Sequence, residues 1–100
     1  MYKQSPFFKA VCDNGDLKLV ELLINDERVD VNRRDDTGKT PFNNACYHRC
    51  GLQVIQYMAT HPRVDIGTPS NDGMTPLWIA TYHGNTQIVK AIIESRKPIK

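Results

Sequence analysis

The sequence of 100 residues contains little that would mark a secreted or membrane-bound protein. It has only three cysteines, Cys12, Cys46 and Cys50, and no Asn-x-Ser/Thr acceptor, so both usual marks of an extracellular protein are missing. The first twenty residues hold no apolar run long enough for a signal peptide or a membrane span. We therefore predict an intracellular, cytoplasmic protein with reduced thiols and no membrane contact.

An excess of positive charge is also missing, because 13 Lys and Arg residues stand against 11 Asp and Glu residues, for a formal net charge of +2. Bulk charge therefore gives no support to nucleic-acid binding. We interpret the basic segment 96–100 as a solubilising end, next to a helix C-terminus that favours cations. No nucleic-acid partner is predicted.

Features of an enzyme are scarce as well. A chain of this length supports one modest core and leaves little room for an enclosed active site. It contains no phosphate-cradling glycine loop and no Gly-x-Ser-x-Gly motif. The adjacent carboxylates Asp35 and Asp36 are interpreted as solvated turn residues. We predict no catalytic residues and no enzymatic activity.

One spacing invites a metal-site interpretation: Cys46, His48 and Cys50 alternate along the chain, and Cys12 or His83 would supply a fourth ligand. Residues two apart on a helix point about 200° from one another, so His48 cannot join both cysteines on one side of a regular helix. The spacing also matches no zinc signature. We predict no metal and no cofactor.

What the sequence does contain is internal repetition. Segment 28–31, Arg-Val-Asp-Val, returns as 63–66, Arg-Val-Asp-Ile, at an offset of 35 residues. Segment 38–41, Gly-Lys-Thr-Pro, returns as 73–76, Gly-Met-Thr-Pro, at the same offset of 35. A further register links segments 15–23, 50–58 and 84–92, so three copies of one unit fill the chain.

Each copy reads as two helices joined by a short turn, because its apolar positions recur every three or four residues. The Thr-Pro pairs at 40–41 and 75–76 predict helix starts, with a capping hydroxyl before a proline at the first helical position. Gly15 and Gly84 predict helix ends. The polar stretches between units predict β-turns that project as fingers.

These residues resemble the ankyrin repeat. Segment 75–80, Thr-Pro-Leu-Trp-Ile-Ala, is similar to the family's Thr-Pro-Leu-His-x-Ala signature, and segment 40–45 resembles it more loosely. The resemblance implies an all-α ankyrin-repeat solenoid of helix-turn-helix units joined by β-turn fingers. It implies one domain over residues 1–100, with repeat 1 at about 1–32, repeat 2 at about 33–67 and repeat 3 at about 68–100.

The chain departs from the family pattern in the second and third units. Asn43 and Trp78 replace the signature histidine, so we expect its hydrogen bond to be absent or altered, and we assign Trp78 a packing role. An extra residue precedes Cys50, which stands at the glycine position, so the helix there is expected to end irregularly or at Gly51. His61 is expected to be a solvated turn residue that ends the outer helix.

The resemblance also implies a function, since ankyrin repeats bind other proteins through finger tips and the exposed face of each first helix. Tyr and Arg are common interface anchors, and Met repacks to suit a partner. On the family pattern, we expect a protein partner to contact Arg33, Arg34, Asp36, Thr37, Lys39, Tyr47, His48, Pro69, Asn71, Asp72, Met74, Tyr82 and His83.

An alternative function remains open at this point. The repeats would then be a structural or targeting part of a longer ankyrin-repeat protein, stacked on further repeats or on another domain. Alternatively, the chain would form a homo-oligomer through its C-terminal helix, where Ile88, Ile92 and Ile93 are expected to form an exposed apolar edge.

Overall fold

The computed structural model describes residues 6–11, 16–95 and 97. Within these ranges the chain is helical and contains no strand, as the sequence predicts. The helices are α1 (Pro6–Lys9), α2 (Leu17–Ile24), α3 (Pro41–His48), α4 (Leu52–Thr60), α5 (Pro76–Tyr82) and α6 (Thr86–Glu94).

The predicted helix starts are confirmed at both Thr-Pro pairs. The hydroxyl of Thr40 accepts a hydrogen bond from the backbone N–H of Asn43 at 3.1 Å. The hydroxyl of Thr75 does the same for the backbone N–H of Trp78, also at 3.1 Å. Because a proline follows each threonine, one of the N–H groups that helix starts leave unpaired does not exist. Helices α3 and α5 therefore begin in the same way, one repeat apart.

The helix ends are less regular, as expected around Cys50. Gly84 follows α5 with φ +66°, which confirms it as a helix stop, whereas Gly15 lies outside the described residues. The end of α3 is formed instead by Arg49, whose φ of 55° and ψ of 46° are left-handed. Gly51 is the N-cap of α4 and not the turn residue. The extra residue in this unit is therefore accommodated by a non-glycine residue in a conformation that costs about 1 kcal/mol.

The helices pack in two layers, with α1, α3 and α5 on the inside and α2, α4 and α6 on the outside. Neighbouring inner helices contact each other, as do neighbouring outer helices, and each inner helix also contacts the outer helix of its own unit. The core between the layers is filled by fully buried apolar side chains that include Phe42, Ile55, Met58, Ile79 and Ile92. Stacking of units, and not closure around a cavity, thus buries the apolar surface.

The apolar edge expected on the C-terminal helix α6 is mostly not there. Ile88 and Ile92 are buried in the core, with 2% and 0% of their surface exposed. Only Ile93 of the three is exposed, at 56%. A single exposed isoleucine is ordinary on a protein surface. Helix α6 therefore offers little of the surface on which the self-association alternative depended.

Arg63, in the second unit, caps the C-terminal end of α2, the outer helix of the first unit. The guanidinium of Arg63 donates to the carbonyl oxygens of Ile24 at 2.7 Å, Asp26 at 2.9 Å and Val29 at 2.7 Å. These carbonyls lie at the end of α2 and in the loop after it. Since the last carbonyls of a helix have no partner within the helix, Arg63 satisfies groups that would otherwise need water.

Lys97 makes the equivalent contacts one unit further along. Its ammonium donates to the carbonyl oxygen of His61 and to that of Val64 at 2.9 Å, after the end of α4. Burial lowers the pKa of Lys97, while the nearby charge of Asp65 acts in the opposite direction. The same kind of contact therefore ties the third unit to the second.

His61 ends α4, as predicted, but its ring is half-buried and bonded on both sides and is not merely solvated. Nδ1 accepts a hydrogen bond from the backbone N–H of Arg63 at 3.1 Å, and Nε2 lies 3.0 Å from Oδ1 of Asn25. This arrangement holds the neutral ring with its proton on Nε2. Burial, followed by the charges of Lys97 and Arg63, lowers the pKa of His61 below its ordinary 6.5.

We expect the His61 ring to make the fold less stable in mild acid. The unfolded chain binds a proton at His61 more readily than the folded chain, so the free energy of unfolding falls as the pH falls below 6.5. His61→Gln should reduce that fall, measured as the difference in the free energy of unfolding in urea between about pH 5.5 and about pH 8. At about pH 8, where histidine is neutral, the free energy of unfolding of each protein serves as its own reference value. An unchanged slope in the variant would contradict this assignment.

The cysteines differ from one another. Cys46 is free and buried on α3, as expected for a small core residue, and burial raises the pKa of its thiol to about 12. Cys50 is disulfide-bonded. The prediction that all three thiols are reduced is therefore wrong for Cys50, because the sequence spacing gave no sign of a disulfide framework.

Candidate functional site

Two finger turns of the same construction lie ahead of the inner helices α3 and α5. In the first, the backbone N–H of Asp35 donates to the carbonyl of Lys39, and that of Gly38 donates back to Asp35, both at 2.9 Å. In the second, Ser70 pairs with Met74 and Gly73 donates to Ser70, again at 2.9 Å. Each turn has its glycine at a positive φ, +79° and +83°, which explains why glycine recurs there.

The side chain of Asp35 holds the first finger in shape. Its Oδ1 accepts from the backbone N–H groups of Thr37 at 2.8 Å and Lys39 at 3.0 Å, and its Oδ2 accepts from Nδ2 of Asn44 on α3 at 3.0 Å. Partial burial raises the pKa of this carboxyl, but the hydrogen bonds lower it by more, so the pKa lies below its ordinary 3.8. Asp35 is thus a structural carboxylate that fixes the finger to the helix it precedes.

The two fingers are bonded to each other along their length. The backbone N–H of Asn71 donates to the carbonyl of Thr37 at 3.0 Å. The guanidinium of Arg34 donates to the carbonyl of Gly38 at 2.9 Å and, across the gap, to that of Pro69 at 3.1 Å. Arg34, which is predicted to contact a partner, therefore links the two fingers. These bonds join the two fingers into one edge of the molecule.

Beside the fingers, exposed aromatic side chains form a continuous chain of contacts across α3 and α5. The ammonium of Lys39 lies 5.0 Å from the ring centroid of Tyr47. Tyr47 meets His83 edge to face at 6.0 Å, and His83 meets Tyr82 in the same way at 5.5 Å. Tyr82 stacks on Trp78 at 5.1 Å with the ring planes only 6° apart. We call Lys39, Tyr47, His83, Tyr82 and Trp78 the aromatic strip.

Trp78 is the member of the strip that sequence reasoning missed. The sequence predicts a packing role for Trp78 between helix and finger, yet 48% of its surface is exposed. Tyr82 and Tyr47 are also exposed, at 73% and 44%. The available signal was the spacing of four between Trp78 and Tyr82, which places both rings on one face of α5. A half-exposed stack of two large rings is unusual on a surface that serves no contact.

The other predicted contact residues all reach the surface to some degree. His48 is exposed at the end of α3, with its ring 5.1 Å from that of Tyr47. Among the predicted residues, the exposed ones are Arg33, Arg34, Asp36, Thr37, Tyr47, His48, Asn71, Asp72, Tyr82 and His83. Lys39, Pro69 and Met74 are half-buried. The structure thus gathers Lys39, Tyr47, Tyr82 and His83 into the strip and places the finger residues along its side.

Asn43 replaces the signature histidine with a hydrogen bond of its own. Its Nδ2 donates to the carbonyl of Thr68 at 2.9 Å, which links α3 to the base of the next finger. The side chain is completely buried, and its Oδ1 has no hydrogen-bond partner. The expected alteration of this bond is therefore confirmed, with one buried acceptor left unsatisfied.

Two observations bear on the metal-site interpretation of Cys46. The Cys46 thiol is buried with a raised pKa, which disfavours the thiolate that metals and electrophiles require. Across residues 6–11, 16–95 and 97, no three His, Cys, Asp or Glu side chains cluster closely enough to hold a metal ion. A groove of about 650 Å³ lies along α2 and the loop after it, and its lining includes Lys18, Glu21, Leu22, Asn25 and Arg28. In the same described ranges, no helix has the length and apolar character needed to span a membrane.

Comparison with known proteins agrees with the repeat fold. Residues 7–100 match the family model described as "Ankyrin repeats (3 copies)". The fold is similar, with a TM-score of 0.74 and 24% identity, to a chain in a solved structure of a predatory endopeptidase from Bdellovibrio bacteriovorus in complex with an immunity protein. The alignment covers 97% of this chain and 49% of that one, so the present chain spans about half its length. No curated protein matches the sequence.

Proposed function

The chain belongs to the ankyrin-repeat family, and we propose that it binds a partner protein through its finger turns and inner-helix face, without catalysing a reaction. Its helical solenoid is the one that the repeats predicted. Ankyrin repeats are protein-interaction modules and are generally non-catalytic. The repeat boundaries near residues 32 and 67 remain part of this proposal.

The observation that carries the proposal is the aromatic strip. Trp and Tyr are enriched at the energetic centres of protein interfaces, because each buries a large rigid area at low entropic cost. Here Trp78, Tyr82 and Tyr47 are exposed together on adjacent inner helices. The bonded fingers beside them are already ordered, so little conformational entropy is lost when a partner docks.

We expect a double variant, Trp78→Ala with Tyr82→Ala, to lose at least ten-fold in affinity for a protein captured by the wild-type chain, in line with the effect of removing interface anchors. Both side chains are exposed, so the thermal melt should change little. The measurement is capture from a cell extract, followed by titration of each captured protein. Leu22→Ala, at a side chain 67% exposed on α2, is the control for loss of exposed apolar surface elsewhere.

An equal loss in Leu22→Ala, or no loss in the double variant, would contradict the proposal. Arg34→Glu is a poorer test, because Arg34 also bonds the fingers together.

An intracellular, cytoplasmic location stays a prediction. The disulfide at Cys50 removes one of its supports, since disulfides are rare in the cytosol.

A further inference from the structure

We propose that the aromatic strip receives an acidic segment of the partner, with a carboxylate placed at Lys39 and an apolar side chain on the Trp78–Tyr82 stack. This inference rests on the proposed function and names the chemistry of the partner that fits. It follows from the charges along the strip and from the different character of its two ends.

The inner-helix face carries no negative charge of its own. Neither α3 nor α5 contains an aspartate or a glutamate. The carboxylate nearest to α3 in the finger, Asp35, is turned inward to backbone N–H groups and to Asn44. The strip therefore presents a cation and polarisable rings without a carboxylate on either helix that carries them.

The Lys39 end already holds a cation against an aromatic face. The ammonium lies 5.0 Å from the Tyr47 centroid, within the range of a cation–π contact, and its other contact is the hydroxyl of Thr37 at 3.3 Å. A second cation arriving from a partner would compete with Lys39 for this ring and be repelled by it. An arriving carboxylate would instead pair with an ammonium that has only neutral partners among the described contacts.

The opposite end of the strip has a different character. Trp78 and Tyr82 lie with nearly parallel rings, so they present a broad flat apolar surface. Such a surface suits an aliphatic side chain or a proline, which buries area there without needing hydrogen bonds. Because each contact along the strip is 5.0 to 6.0 Å long, the two groups of an extended segment would lie at most about six residues apart.

Single-stranded nucleic acid is the other ligand that combines negative charge with stacking. The strip has only one lysine, whereas nucleic-acid sites follow the backbone with several cations. The net charge of the chain is only +2, so it lacks the cationic surface that a nucleic-acid backbone requires. An acidic protein segment is therefore the better match to this surface.

The test is a selection from a random library of displayed peptides, each about 12 residues long, a length that spans the strip when extended. Peptides selected by the wild-type chain should be enriched in Asp or Glu within about six residues of Pro, Leu, Ile or Val. Because the chain has one tryptophan, Trp78, its fluorescence reports whether a synthetic copy of a selected peptide binds at the strip. Binding should weaken on raising NaCl to about 0.5 M.

Charge reversal then tests the placement of the carboxylate. Lys39→Glu should lower the affinity for the selected acidic peptides by at least about ten-fold. A new selection on this variant should favour peptides that contain Lys or Arg. Lys90→Glu, at an exposed residue on α6, changes the net charge equally and should leave the affinity within about two-fold of wild type.

The outcomes separate the two proposals. Selected peptides that need Tyr82 but show no acidic preference, or that keep their affinity in Lys39→Glu, would overturn the inference and leave the proposed function standing. Peptides whose affinity is unchanged in both Tyr82→Ala and Trp78→Ala would count against the inference and the proposed function. A failure to select any peptide would do the same. Binding of a short oligothymidylate that competes with the peptides would also overturn the inference, in favour of nucleic acid.

Discussion

Gly38→Ala is expected to destabilise the fold by about 2–4 kcal/mol, the sum of a left-handed backbone penalty and an overpacked contact. Gly38 has a φ of +79°, and a Cβ added there would lie 2.8 Å from the backbone nitrogen of Asn71 and against its side-chain amide. That nitrogen donates to the carbonyl of Thr37 and cannot withdraw without losing the bond between the fingers. The measurement is the free energy of unfolding in urea.

Gly73→Ala is the matched control for this prediction. Gly73 stands at the same place in the second finger with a φ of +83°, but a Cβ there would meet nothing within 4 Å. Its alanine variant should therefore lose only the backbone penalty of about 1 kcal/mol. The difference in destabilisation between Gly38→Ala and Gly73→Ala therefore measures the cost of the steric contact between the fingers. Equal losses would show that the fingers separate without cost and that their contact contributes little to stability.

Arg63→Ala is expected to destabilise the fold by about 3 kcal/mol, the scale of charged hydrogen bonds lost from part-buried carbonyls. Its guanidinium bonds to the carbonyl oxygens of Ile24, Asp26 and Val29, all in the preceding unit. Removing it leaves the end of α2 without these donors and loosens the junction between two units. Arg63→Lys should recover only part of the loss, because one ammonium cannot reproduce the geometry of the planar fork.

Arg28→Ala is the control, because Arg28 stands at the same repeat position 35 residues earlier. Its side chain is 89% exposed and pairs only locally with Asp26, at 2.7 Å. Exposed ion pairs contribute little to stability, so the midpoint of unfolding should move much less than in Arg63→Ala. Similar shifts in the two variants would mean that the carbonyl contacts of Arg63 do not stabilise the junction.

The helices were predictable because their signals are local. A capping threonine before a proline acts within one turn of helix, so Thr40 and Thr75 mark the starts of α3 and α5 without reference to the rest of the chain. Glycine at a positive φ is equally local, as at Gly84. The end of α3 was harder to predict, because an inserted residue shifts the turn and Arg49, not a glycine, adopts the left-handed conformation.

The candidate site was predictable only in part. Tyr47, Tyr82 and His83 follow from the positions that the family uses for contact, and they do lie on the exposed inner-helix face. Trp78 was misjudged, because a large aromatic residue is usually buried and nothing in the local sequence shows that its ring lies against Tyr82 at the surface. The hydrogen bond of Arg34 between the fingers was also hidden, since its second acceptor, Pro69, is 35 residues away.

The sequence by itself determined that the chain is a three-unit helical repeat, since the recurrence of caps, turn glycines and apolar spacings at an offset of 35 residues is visible without coordinates. Only the tertiary structure decided which of two equivalent residues has a role. Arg28 and Arg63 occupy the same repeat position, yet one lies in solvent and the other closes a helix end. The reason is that stacking brings Arg63, and not Arg28, against the carbonyls at the end of α2. The same stacking joins Lys39 to Trp78 in one strip.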